Sequence, residues 1–198
     1  MKIAELTRIF SNRTTLPVNV NDVLDCLKAH GNDDDIDFIG VDFDTDVLQG
    51  AIKIWHRRGV PYGQDVQRYV NIYYHRGHER DWQRLICCKE LIHVLDPEGF
   101  HTRSPEEIEM LAARLGVPPS LENPMADGAA TNMDRTAEWR AAALLFPYAA
   151  REVLMEPLKA EKITLADIAR MADIPRKYVA FVMHDQWESI HKMLTADV

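Results

Sequence analysis

The chain has 198 residues, 46% hydrophobic and 27% charged, a composition that suits a globular protein with one large core or a core with a small appendage. No apolar run approaches the roughly 18–20 residues that cross a bilayer, MKIAELTRIFSNR lacks the apolar stretch and cleavage site of a signal peptide, and three cysteines, two of them adjacent, make no disulfide framework. These three observations make a cytoplasmic protein the expectation, and with 23 basic against 31 acidic residues the net charge of −8 disfavours nucleic acid as the main ligand.

Residues 18–30 predict the first helix, with Asn21 or Asp22 as its N-cap, Val23, Leu24 and Leu27 on one face, and Gly31 ending it. A polar turn over 32–35 leads into strand-like runs at 36–43, 47–55 and 68–75. The short links between them, such as Gly59-Val-Pro-Tyr-Gly63, predict a small antiparallel sheet. After Gly77 the apolar period becomes helical: Trp82, Leu85, Ile86, Lys89, Ile92 and His93 recur every three or four residues until Asp96-Pro97. Ser104-Pro-Glu-Glu starts another helix to about Leu115, and 116–132, rich in proline, reads as a loop. From Asp134 onward the pattern is helical, with breaks near Pro147, Pro157 and Pro175 and an amphipathic stretch over 184–193 that either covers the core or serves self-association. Helix, sheet, then helices is an α+β order.

Residues 163–180 carry helix-turn-helix spacing: Ala169 at the helix approach, Asp173-Ile174 as the turn, Pro175 opening the second helix and Val179 anchoring it. Arg176 and Lys177 then lie where a recognition helix meets phosphates or bases. Between residues 151 and 180 there are six basic and five acidic side chains, no concentrated patch, so packing helices are the alternative.

The chemistry-bearing segment is Lys89-Glu90-Leu91-Ile92-His93. Glu90 and His93 form E-x-x-H on a helix. In the full H-E-x-x-H pattern two histidines one turn apart hold zinc, and the glutamate activates the metal-bound water; here Lys89 takes the first histidine's place. A second segment, Asp134-Arg-Thr-Ala-Glu-Trp-Arg-Ala-Ala-Ala-Leu-Leu-Phe-Pro147, puts Asp134 and Glu138 one turn apart on one helix face.

Together these segments resemble the ImmA/IrrE family of zinc metallopeptidases, over about residues 15–185. The matching positions are Glu90 and His93 in the first motif and Asp134, Ala137, Ala141, Leu144, Leu145 and Pro147 in the second. The resemblance implies an α+β zincin-like domain over 1–147, its small antiparallel sheet packed on helices, with a helical extension over 148–198 packed on it. It also implies a protein of bacterial or prophage type that meets a repressor-like regulator. Glu90 would be the general base, and His93 with Asp134 or Glu138 would hold zinc. The sequence departs from the family at Lys89 and in the long gap between His93 and Asp134. A lysine ammonium, with a pKa near ~10.4, repels a metal rather than binding it. Replacement ligands would have to come from Cys87, Cys88, His75, His78 or His101. The favoured expectation is that Lys89 stands in for the metal's charge, paired with Asp134, Glu138 or Glu90, in a protein that binds its partner without cutting it. An active zinc endopeptidase and a DNA-binding helix-turn-helix regulator are the alternatives.

Overall fold

A computed structural model describes residues 1–42, 49–58, 66–96 and 128–196, without the side chains of 58 and 128–132. An N-terminal helix goes beyond the expected elements: α1 (Ile3–Ser11) buries Ala4, Leu6, Thr7 and Phe10, one face of a 3.6-residue period. Helix α2 (Val20–Ala29) is capped at Asn19, two or three residues ahead of the expected cap. Asp22 falls instead in its first turn, where a carboxylate complements the positive helix end. Gly31, at φ +87°, closes the chain behind it in a conformation that favours glycine.

Three strands follow, β1 (Asp35–Val41), β2 (Gly50–Arg58) and β3 (Val66–His75). The order is β1-β3-β2, with β2 antiparallel and β1 parallel to β3. The sheet is therefore mixed, which corrects the expected antiparallel arrangement. Short links do not determine the neighbour. β3 carries the fully buried Val70 and Ile72 and takes the central place, where both of its edges are paired.

Helix α3 (Arg80–Ile92) runs into a single 3-10 turn at His93–Leu95. Helix α4 (Gly128–Leu145) begins earlier than expected, so residues 128–132 are helical rather than loop. The expected helix from Ser104 and the rest of the 116–132 loop lie outside the described residues. The C-terminal part holds α5 (Tyr148–Lys159), α6 (Leu165–Ala172), α7 (Arg176–Met183) and α8 (Trp187–Thr195). Pro147 and Pro175 sit at N-caps as the sequence suggests, but Pro157 lies inside α5, which runs two residues past it. His184 is the C-cap of α7, so the last helix starts at Trp187.

These elements make an α+β protein. One face of the sheet packs on helices. Ile36, Val70 and Ile72 join Leu85, Cys88, Leu91 and Ile92 of α3 and the alanines of α4 in one apolar cluster. The same cluster continues through Ile168, Ile174, Val179, Val182 and Trp187, so the C-terminal helices share the core with the sheet and α3. Arg84 of α3 fastens the α6–α7 turn: it donates to the carbonyls of Val18, Ala172 and Asp173 and pairs with the Asp173 carboxylate at 2.7 Å. Among the described residues no helix is long and apolar enough to cross a membrane.

Candidate functional site

Lys89 and Glu90 stand in the last turn of α3, and His93 follows at its C-cap. Across from them α4 turns a strip of small residues, Ala137, Ala141 and Ala142, into the core. Short side chains at a helix contact let the two axes approach, and so a side chain as short as aspartate reaches across. Asp134 Oδ1 lies 2.6 Å from Lys89 Nζ and 3.4 Å from His93 Nε2. Lys89 Nζ is also 3.2 Å from Glu90 Oε1. The opposite ring nitrogen, His93 Nδ1, donates to Asp96 Oδ2 at 2.6 Å. Glu90 and Asp134 are 5% and 6% exposed, so these charges have little water to screen them.

The electrostatics follow from that geometry. Burial works against the Lys89 ammonium, but Glu90 and Asp134, with Glu138 further off, override it and hold the amine above the ordinary lysine value. Burial likewise opposes the charged form of His93. Its hydrogen bonds to Asp134 and Asp96 and the charge of Glu90 nonetheless push it up to about 9. For Asp134, burial raises the pKa, and Lys89 and His93 outweigh it, bringing the carboxyl down to about 2. Asp134 is thus an anion held between two cations. Its second oxygen, Oδ2, is buried without a hydrogen-bond partner among the described residues.

A tight approach from the sheet completes the site. A Cβ on Gly50, the first residue of β2, would lie 2.4 Å from Ile86 Cγ2 and 3.1 Å from Glu90 Oε1. Only a residue without a side chain lets the strand lie flush against that carboxylate.

Of the residues singled out in the sequence, Lys89, Glu90, His93 and Asp134 come together. Glu138, one turn along α4, accepts a hydrogen bond from Tyr178 Oη at 3.0 Å and acts on Lys89 through its charge alone. The geometry thus separates the two carboxylates the spacing left equivalent. Arg176 and Lys177 lie elsewhere, exposed at the start of α7. Lys177 Nζ is 4.5 Å from the Trp82 ring centre and 4.7 Å from that of Tyr178. Cys87 and Cys88 are buried, and burial pushes both thiols up, Cys87 to about 12; His75 and His78 flank a turn after β3, and His101 is outside the described residues. Two members of the network were not among the candidates. Asp96, three residues beyond His93, stood in the sequence as a helix stop. Tyr178 is 40 residues from Glu138, and no spacing signals that contact.

As arranged, these residues do not fit a zinc ion. A zinc site of this kind takes three protein ligands, with histidine neutral. Here His93 and Asp134 are the two candidate ligands. Lys89, where the H-E-x-x-H pattern has a histidine, sets an ammonium against the Asp134 carboxylate, and the imidazole is held protonated by two carboxylates. Among the described residues no group of three or more histidine, cysteine, aspartate and glutamate side chains is placed to hold a metal. Comparison of the chain with protein-family models, with curated proteins and with solved structures finds no match in any of the three.

Proposed function

We propose that this chain is an ImmA/IrrE-type, zincin-like protein whose metal site has become an internal ion network, and that it acts by binding a repressor-like regulatory protein without cleaving it. One observation carries the proposal: Lys89 Nζ sits between Asp134 Oδ1 and Glu90 Oε1, at 2.6 and 3.2 Å. A peptidase of the zincin kind needs its glutamate free to take a proton from water made acidic by the metal. In this chain the glutamate faces an ammonium of its own helix, which competes with a water for its oxygen. The binding surface around such a site outlives the chemistry, because recognition of a partner does not depend on the metal. The helix-turn-helix alternative gains less support: Lys177 is engaged by two aromatic rings, and Arg84 fastens the turn to α3.

Two measurements test this. Elemental analysis after exposure to zinc and removal of the excess should find none bound to the wild type and near one per chain in Lys89→His. A wild type that holds one zinc overturns the loss of the metal site. Incubation with candidate repressors should give a complex by size-exclusion chromatography with both chains intact by mass spectrometry. Cleavage of the partner overturns the non-catalytic role.

A further inference from the structure

The face of the sheet turned away from the helices has a charge arrangement that its strand order makes unusual. Strand register puts Asp35, Tyr69 and Trp55 in one row across β1, β3 and β2, then Asp37, Asn71 and Lys53, then Ile39, Tyr73 and Ala51. None of these side chains belongs to the core cluster. Trp55 is 38% exposed and stacks on Tyr69, the ring centres 4.4 Å apart and the planes within 17°; Asn71 donates to Tyr73 Oη at 3.1 Å. The middle strand therefore presents Tyr69 and Tyr73, the first stacked on Trp55 and the second hydrogen-bonded to Asn71. The two borders of the face carry opposite charge: Asp35 and Asp37 along β1, Lys53 and Arg57 along β2, all four exposed. Among the described residues none of the four forms an ion pair.

We propose that this face is where two copies of the chain meet, sheet on sheet. The argument rests on self-complementarity, which a twofold interface demands because one patch must fit itself. A twofold axis running along β3 lays β1 of one copy over β2 of the other. Asp37 then faces Lys53 of the second copy, twice by symmetry, and Asp35 falls beside Trp55 and Arg57. In the next row the larger Ile39 meets the small Ala51, while the tyrosines meet across the axis. Sheets that pack in this way align their strands within about 30°, so the rows stay in reach of one another. An axis across the strands would instead set Asp37 on Asp37 and Lys53 on Lys53. The charge pattern selects the first axis and rejects the second. A nucleic acid would meet Asp35 and Asp37 on the same face, which argues against it.

The test is sedimentation equilibrium on the full chain. The wild type should dimerise, and more weakly as salt is raised. Asp37→Lys and Lys53→Asp should each weaken the dimer by about tenfold or more, since each sets like charges together at two symmetric places. An equimolar mixture of the two variants should restore the wild-type affinity, because the copies then complement one another at both places. Near-ultraviolet circular dichroism checks that each variant is folded, and Asp37→Asn with Lys53→Gln serve if a reversal unfolds the chain. With these neutral variants the dimer weakens less, and mixing restores one of the two charge pairs, giving an affinity between those of the variants and the wild type. A wild type still monomeric near 1 mM, the region of about −4 kcal/mol in binding free energy, overturns the proposal. So does a dimer indifferent to these substitutions, or a mixture of the reversed variants no tighter than either alone.

Discussion

Helix α3 carries two cations into the interior, five residues apart, and they are held in different ways. Arg84 spreads its guanidinium over the carbonyls of Val18, Ala172 and Asp173, with one carboxylate, Asp173, that is a quarter exposed. It is a fork that ties three chain segments together, and neutral acceptors do most of the holding. Lys89 ends in a point charge among the carboxylates of Glu90 and Asp134, with Glu138 adding to the field. Arginine and lysine suit these two tasks respectively. The first surroundings are what a chain needs to hold itself together. The second hold two cations, because Asp134 is shared by Lys89 and His93.

That contrast can be broken by experiment. Lys89→Met should have the largest effect, a loss of about 3–5 kcal/mol of stability in urea unfolding, because it strands buried carboxylates. A variant that unfolds with the wild type would mean water reaches the cluster freely. Arg84→Met should cost less, about 1–3 kcal/mol, the desolvation cost of acceptors left unpaired, measured the same way. If it proves the costlier of the two, the contrast is inverted. Gly50→Ala presses a methyl group onto Ile86 and Glu90 and should lose about 1–3 kcal/mol; the same change at Gly31, where no atom lies within 4 Å of the added carbon, tests backbone strain instead of crowding. The pH dependence should be the smallest effect at neutral pH. His93 has its folded pKa raised from 6.5 to about 9, so its contribution is complete below 6.5 and is lost as the pH rises through 9. Asp134 has its pKa lowered from 3.8 to about 2, so its contribution is complete above 3.8 and is lost as the pH falls through 2. Unfolding midpoints should therefore be highest between about pH 4 and 6.5, and His93→Gln should flatten the alkaline limb and, by taking one of the two cations from Asp134, weaken the acid limb as well.

Much of this molecule can be read along the chain. The apolar period from Trp82 to His93, the stop at Pro147 and the turn at Asp173-Ile174 are local signals, and local signals survive folding. Asp173 even adopts the left-handed conformation, φ 53°, at the C-cap of α6, where a short polar side chain is tolerated. What stayed hidden depends on distant contacts. The hydrophobic pattern of β1 says that it is a strand and nothing about pairing parallel with β3, 34 residues later in register. Asp134 and Glu138 are equivalent on a helix surface until the register of α4 against α3 decides between them. The roles of Asp96 and Tyr178 follow from where α3 ends and where α7 lands, and neither leaves a mark in spacing.

The strand order also has a consequence for the order in which the protein is made. Among the described residues the centre of the sheet is the last strand to be synthesised, and β1 and β2 do not pair with each other. While the ribosome has delivered only the first 58 residues, two strands exist without the edge that each requires, and their apolar faces wait for Val70 and Ile72. The pairing of both outer strands therefore waits for β3, a non-local closure of the kind that slows folding and leaves strand edges open while it lasts.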